Sequence, residues 1–190
     1  RSPFRRAVRV LAAITSTAIL SVSREEGVMQ AMEQSIETWQ YLTFRLGQES
    51  FGIDVLKVRE ILDFIEVTKV PQAPDYMLGV INLRGSVVPV VDLRKRFAIE
   101  SGERTKDNCI IVLEINLNGD ELKVGIIGDM VEEVIDLRSE QIEPPPKLGS
   151  QLRAEFIVGM GKQEERFIIL LDIDKIFSDE ELSLVRAAGE

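Results

Sequence analysis

The chain contains one pattern of residues twice, and this internal repeat constrains the fold more than any other feature of the sequence. Residues 76–97 (YMLGVINLRGSVVPVVDLRKRF) align without a gap with residues 156–177 (FIVGMGKQEERFIILLDIDKIF), at an offset of 80. An earlier stretch, residues 51–61, aligns with residues 124–134 at an offset of 73. A supersecondary unit that occurs twice in the same order indicates two similar half-domains packed against each other.

The two copies differ at one turn. The first copy reads NLRG at residues 82–85, whereas the second reads KQEE at residues 162–165. Because the second copy builds the same unit without this arginine, Arg84 is not required merely to fold such a unit. The turn of the first copy is therefore a candidate functional site.

Charge and composition exclude several classes of function. The 190 residues carry a formal net charge of −9 and include no histidine. Residues 1–28 hold a net charge of +3, which leaves −12 on the rest, and a body this acidic is poorly suited to binding nucleic acid. Without histidine the chain lacks the commonest general base and metal ligand, so we expect no catalysis, metal or other cofactor. The single cysteine, Cys109, opens an apolar run and is expected to be a buried side chain in a reducing compartment.

Residues 1–38 precede the repeated region and are expected to be an amino-terminal extension. Within them, residues 10–23 carry no charge and follow a basic stretch. This segment is too short to span a bilayer, which needs about 20 apolar residues, although a basic lead before an apolar centre is also typical of a signal peptide. We favour the alternative, a frayed or non-native extension upstream of a start at Met29 or Met32, and expect no direct insertion into a membrane.

Alternating apolar and polar residues predict about ten short strands and little helix. Two copies of five strands favour an all-β fold in which two similar five-stranded, SH3-like barrels pack together, the first at about residues 40–105 and the second at about residues 106–178. The groove between two such barrels is a usual place for a binding site. A brief helix is predicted after the last strand of each copy, with Asp92 and Asp172 as N-caps, and a C-terminal helix or tail is predicted at residues 179–190.

Several motifs together resemble the CheW family of chemotaxis coupling proteins. They include GIDVxKVxEI at residues 52–61, GVxNLRG at residues 79–85, VPVVDL at residues 88–93 and VGIIxDxV at residues 124–131. They occur in the order and at the spacing of the family over roughly residues 39–180. This is far more specific than a single short motif.

The resemblance implies a fold, a function and partners. Members of the family fold as two five-stranded barrels, have no catalytic activity, and link the cytoplasmic tips of chemoreceptors to the regulatory domain of a CheA-type histidine kinase. By this resemblance, residues 39–178 are a CheW-like domain that serves as a cytoplasmic adaptor at membrane-associated receptor arrays. An alternative is a CheW-like module detached from a kinase or from a receiver-bearing adaptor, serving a non-flagellar chemosensory pathway. A hydrolase that uses Asp92 and Asp172 is a third hypothesis, disfavoured because both are expected to be helix caps.

The resemblance also implies a receptor-binding site beside the groove between the barrels. Family positions that contact receptor or support an interdomain ion pair match residues of the first copy: Val58, Glu60, Gly79, Asn82, Arg84 and Gly85. Physically, Arg84 has enough donors to pair with Glu60 and still present an edge to a partner. Gly85 allows the turn a positive φ. Glu133 matches Glu60 in the second copy, which favours a structural role for Glu60.

The kinase-binding surface is expected on the second copy. The regulatory domain of the kinase belongs to the same superfamily, so packing of barrel against barrel is expected. Apolar positions that we expect to be exposed, Val124, Ile126 and Val131, are the candidates for this contact.

Overall fold

The computed structural model describes residues 37–100, 102–117, 119–145 and 154–177, together with Glu181 and Ser183. The predictions for residues 1–36, and for most of the C-terminal helix, fall outside this part of the chain. Within it there are eleven strands and two complete short helices, and no helix is long and apolar enough to cross a bilayer.

The elements follow the repeat. The strands of the first copy are β1 (Thr38–Leu46), β2 (Glu49–Asp54), β3 (Val58–Asp63), β4 (Met77–Leu83) and β5 (Ser86–Val91). Those of the second copy are β6 (Cys109–Leu117), β7 (Asp120–Gly128), β8 (Met130–Arg138), β9 (Ile142–Glu143), β10 (Ile157–Gln163) and β11 (Arg166–Leu171). Helix α1 (Leu93–Arg96) follows β5, and helix α2 (Ile173–Ile176) follows β11.

The two sheets exchange strands between the copies. One sheet has the order β3-β6-β7-β5-β4, which we call barrel I, and the other has the order β8-β1-β2-β11-β10-β9, which we call barrel II. The first two strands of each copy thus lie between the third and last strands of the other copy. The predicted division at residues 40–105 and 106–178 is not how the strands are shared, because residues 55–57 and Asp129 carry the chain from one sheet into the other instead of closing hairpins.

In each barrel, the segment that follows β3 or β8 pairs with the strand at the opposite edge of the sheet and so closes the barrel. After β3, Thr68 exchanges backbone hydrogen bonds of 2.9 and 2.8 Å with Val80 of β4, the far edge of barrel I. After β8, strand β9 pairs with β10, the far edge of barrel II. The predicted all-β fold of two similar barrels is confirmed, in a strand-exchanged form in which barrel I has five strands and barrel II has six.

Apolar side chains form three clusters. One fills barrel I and includes Val88 and Ile110, and a second fills barrel II and includes Ile135 and Leu170. The largest cluster takes side chains from both barrels and both helices, and therefore joins the barrels. A row of rings runs through it, with centroids 6.1 to 6.3 Å apart: Phe44, Phe51, Phe97 and Phe156.

The three residues predicted to bind the kinase lie in the cluster that joins the barrels. Val124, Ile126 and Val131 are buried, with no more than 7% of their surface exposed. Strand β7 is covered on both faces, since Ile127 packs inside barrel I while Ile126 points towards barrel II. A doubly covered strand has a continuous apolar run, which cannot be distinguished by pattern from an exposed apolar edge. The expectation that these side chains are exposed is wrong.

The two predicted helix caps behave differently. The Asp92 carboxylate accepts a hydrogen bond from the Arg94 backbone N–H at 3.0 Å, which confirms it as the N-cap of α1. Asp172 occupies the matched position before α2 but makes no side-chain cap hydrogen bond. Its carboxylate pairs with Lys175 at 2.8 Å instead. Asp172 therefore holds the predicted N-cap position of α2 without the side-chain hydrogen bond of a cap.

Cys109 begins β6 and is 5% exposed, which confirms the predicted burial. Burial raises the pKa of its thiol from an ordinary value of 9.0 to about 12. The neutral thiol is therefore the stable form in the folded protein, and it is a poor nucleophile.

Truncation of Ile126 to alanine should lower the free energy of unfolding by about 2–5 kcal/mol, because it leaves a cavity between the barrels. Urea unfolding of the purified chain measures this loss. Val158→Ala, which removes an exposed apolar side chain from β10, is the control and should change stability by no more than about 0.5 kcal/mol. Equal effects of the two variants would contradict the assignment of Ile126 to the shared core.

The raised pKa of Cys109 predicts a loss of stability at alkaline pH. Above the ordinary thiol pKa of 9.0 the unfolded chain releases a proton that the folded chain retains up to about pH 12, so this contribution to stability falls as pH rises through that window. Unfolding midpoints of wild type and Cys109→Ala, measured in urea from pH 8 to pH 10.5, should show a steeper decline for wild type. Parallel declines would contradict the burial of an intact thiol.

Candidate functional site

The turn between β4 and β5 consists of Arg84 and Gly85. Their φ angles are 50° and 85°, so both residues lie in the left-handed region, as in the two-residue turns favoured by β-hairpins. The Asn82 side-chain oxygen accepts a hydrogen bond from the Gly85 backbone N–H at 2.9 Å, and this bond stabilises the turn. The predicted positive φ of Gly85 is confirmed.

Arg84 and Glu60 form a two-pronged ion pair. The two terminal guanidinium nitrogens of Arg84 donate to the two carboxylate oxygens of Glu60 at 3.1 and 3.0 Å. The Arg84 side chain remains 78% exposed, while that of Glu60 is 18% exposed. The guanidinium is thus held in place from one side and open to a partner on the other.

This ion pair lies across the seam of barrel I. Glu60 is on β3 and Arg84 follows β4, and these strands are the first and last of the sheet order. The pair therefore joins the two edges of one barrel rather than two barrels. The structural role predicted for Glu60 is consistent with this position, since its carboxylate orients Arg84.

Two of the residues predicted for the receptor-binding site, Val58 and Gly79, are buried. Val58 opens β3 and is buried in the cluster that joins the barrels. Gly79 has a φ of 140°, and a Cβ atom at this position would lie 2.0 Å from the backbone oxygen of Thr68. Val58 and Gly79 therefore shape the two edges of the seam, and both are buried rather than part of the exposed turn.

Val87 is a residue of the site that the sequence reasoning missed. It lies on β5 directly opposite Asn82 and is 43% exposed. Residues 87–91, VVPVV, have the pattern of a strand that is buried on both faces. The pattern therefore does not show that Val87, at the start of this segment, is exposed. The repeat offers a signal, because Phe167 occupies the matched place in the second copy and is also exposed. We use the name Arg84 surface for the exposed residues Asn82, Arg84, Gly85 and Val87 together with the partly buried Glu60.

The Arg84 surface carries groups that are able to bind a partner. It combines a fixed guanidinium, a turn and an apolar side chain. Asp92, one of the two carboxylates considered for hydrolysis, is buried and bound by the Arg94 guanidinium at 2.8 and 2.9 Å. Among the residues that the structure describes, no group of three or more Cys, Asp or Glu side chains is placed to hold a metal ion.

Fold and site together define a class of protein, a double-barrel β domain that exposes an ion-paired turn at the seam of one barrel. The family model described as the CheW-like domain matches residues 40–181 of this chain. The chemotaxis protein CheW of Klebsiella aerogenes is 42% identical over 146 residues, which cover 77% of this chain and 86% of the relative. That of Treponema pallidum is 38% identical over 151 residues, with the same two shares.

A solved structure agrees with the sequence relatives. The scaffolding protein TtCheW from Thermoanaerobacter tengcongensis matches with a TM-score of 0.68 at 32% identity, over 83% of this chain and 96% of that one. The chain belongs to the CheW-like family.

Substitution of Gly79 by alanine should destabilise the protein by at least about 2 kcal/mol, because the new Cβ would clash with the Thr68 backbone and the φ is unfavourable for any other residue. Urea unfolding is the measurement. Gly102→Ala is the matched control, since no atom lies within 4 Å of its added Cβ. A Gly79→Ala variant as stable as the control would show that the close approach of the seam is not required.

Proposed function

We propose that this chain is a non-enzymatic chemotaxis adaptor that couples transmembrane chemoreceptors to a CheA-type histidine kinase, in the cytoplasm at membrane-associated receptor arrays. Membership of the CheW-like family supports the role in chemotaxis, and the solved relative is named a scaffolding protein. The observation that carries the proposal is the exposed, pre-oriented Arg84 guanidinium, which the second copy of the repeat lacks.

The Arg84 surface is the proposed receptor contact. The chain as a whole is acidic, so a fixed cation on it is a distinctive feature for an acidic or carbonyl-rich partner surface. Because Glu60 already orients the guanidinium, less side-chain entropy is lost when a partner binds. Val87 adds apolar area next to the turn. Val58 and Gly79 support this contact indirectly by fixing β3 and β4.

The proposed kinase contact lies on barrel II. The three residues first expected at this contact are buried: Val124, Ile126 and Val131. The proposed contact uses Val158 and Phe167 instead, each 50% exposed on the β10–β11 hairpin. Exposed apolar side chains on a barrel suit packing against a second barrel of the same kind, which is the partner expected in the regulatory domain of the kinase.

Two separate contacts on one rigid domain explain how an adaptor without catalytic chemistry alters kinase output. The shared core fixes barrel I relative to barrel II. A receptor held by one barrel and a kinase held by the other are then presented at a high effective concentration to each other. Individually weak contacts suffice for such coupling.

The alternative of a module that belongs to a larger signalling protein has one observation in its favour. The chemotaxis protein CheV3 of Helicobacter pylori is 27% identical over 135 residues, which cover 42% of that relative. Receptor-dependent stimulation of a separate kinase by this chain would favour the adaptor. Binding to receptor without any effect on a separate kinase would favour the module.

Arg84→Glu should abolish co-sedimentation with receptor-containing membranes while leaving the urea midpoint almost unchanged, because an ion pair this exposed contributes at most about 1 kcal/mol to stability. Arg138→Glu is the matched control. Arg138 is also an exposed arginine with a nearby glutamate, but it lies on β8 of barrel II, and its substitution changes the net charge equally. This control should retain receptor binding.

Kinase binding is measured separately, with the purified kinase in solution and no membranes. Phe167→Glu should lose the kinase and still co-sediment with receptor-containing membranes, whereas Arg84→Glu should bind the kinase and fail to co-sediment. A loss of both partners by either variant at unchanged stability would contradict two separate contacts. A fall of several kcal/mol in the stability of Arg84→Glu would show that Arg84 is structural.

A further inference from the structure

Two short segments carry the chain between the barrels, and each is tied to a helix of the other copy. The Lys57 ammonium, in the crossover from β2 to β3, lies 2.6 Å from a carboxylate oxygen of Asp174 in α2. Asp129, the crossover from β7 to β8, lies 2.5 Å from a guanidinium nitrogen of Arg94 in α1. Arg94 and Asp174 are matched residues at the repeat offset of 80. Each crossover is therefore joined to a helix by an ion pair. The helix supplies the carboxylate in one pair and the guanidinium in the other.

Each of these aspartates also accepts a hydrogen bond from a hairpin backbone. Asp129 accepts from the Gly47 N–H in the β1–β2 turn at 2.7 Å, and Asp174 accepts from the Asn116 N–H of β6 at 3.0 Å. Every carboxylate therefore connects two elements of the structure besides its own. We call the pair of Lys57 with Asp174 the outer brace, and the pair of Arg94 with Asp129 the inner brace.

The two braces differ in exposure. In the inner brace the Arg94 side chain is 7% exposed and is also bound by Asp92, so removal of either partner leaves a buried charge and is costly. In the outer brace the side chains are 30% and 33% exposed. Such a pair adds little to global stability. The outer brace is therefore able to fix the local position of the backbone without being needed for folding.

The outer brace sits directly before the strand that holds Glu60. Lys57 is followed by β3, which is an edge strand of barrel I and pairs only with β6 in the sheet. That pairing shifts register between Val58 and Glu60. Because the regular ladder is interrupted there, the path of β3 towards Glu60 depends on how its beginning is anchored.

We propose that Lys57 and Asp174 are positioning residues that anchor the start of β3 and so hold Glu60 where it orients Arg84. The inference rests on the proposed function of the Arg84 surface for its effect on receptor binding. Its structural part concerns the free protein alone. Neither residue touches the Arg84 surface; both act through β3.

The test uses the full chain with two variants that remove charge but preserve shape. Lys57→Met keeps the aliphatic stem, and Asp174→Asn keeps an oxygen for the Asn116 N–H. Amide hydrogen exchange at Val58 and Glu60 should become about two- to fivefold faster in each, the change expected when a partly exposed ion pair is lost. The NMR signal of the Arg84 side-chain N–H should shift, and receptor co-sedimentation should weaken by a similar factor.

Two comparisons make the test specific. The charge swap Lys57→Asp with Asp174→Lys should recover at least half of each effect. Lys175→Met removes the neighbouring ion pair between α2 and Asp172, the residue before that helix. It makes the same change of charge as Lys57→Met and should leave all three measurements unchanged.

Several results would overturn the proposal. These are unchanged exchange and an unchanged Arg84 signal in both variants, equal effects in Lys175→Met, no recovery in the charge swap, or altered exchange with full receptor binding. If wild type binds no receptor at all, the proposed function fails instead. In that case hydrogen exchange and the Arg84 signal in the free protein still decide whether the outer brace positions Glu60.

Discussion

The exchange of strands between the two copies of the repeat is the constraint on which the rest of the structure depends. The first two strands of each copy complete the barrel of the other, so neither half can bury its apolar residues alone. The largest apolar cluster consequently lies between the barrels and takes residues from both. The chain must cross between sheets within residues 55–57 and at Asp129. Both crossings are fixed by ion pairs and backbone hydrogen bonds because there is no long loop to absorb strain.

A shared core explains why the two copies are able to diverge at their surfaces. Stability resides in the buried faces of the strands, whereas the β4–β5 and β10–β11 turns lie at their exposed ends. One turn carries Arg84 and Gly85, and the other carries Glu164 and Glu165. An exposed ion pair such as Arg84 with Glu60 contributes little to folding, so this turn is available for recognition. Because the shared core joins the barrels, the two surfaces that differ between the copies are held at a fixed distance and orientation. This is the geometry that the proposed adaptor function requires.

The sequence was sufficient to predict the repeat, the strand-rich class, the short helices and the turn geometry of Gly85, because each depends on local pattern or on matched residues. It was not sufficient to predict which strands pair. A crossover such as Val55–Lys57 has no local signature that separates it from a hairpin connection, and pairing is decided by contacts distant along the chain. The same limit applies to Ile126, whose burial comes from the opposite barrel, and to Val87, which is exposed although its run is apolar throughout. Asp172 matches Asp92 in sequence, yet its carboxylate pairs with Lys175. Asp92 is bound instead by the Arg94 guanidinium, and the residue that matches Arg94 in the second copy is Asp174.

The central claim is that one domain bridges receptor and kinase through two separate contacts. The most direct test is to measure phosphate incorporation by the histidine kinase in the presence of receptor-containing membranes as this chain is added. Bridging predicts a rise in activity followed by a fall at excess, when receptor and kinase are each occupied by different copies of the chain. Kinase activity that does not depend on the amount of this chain would contradict the account.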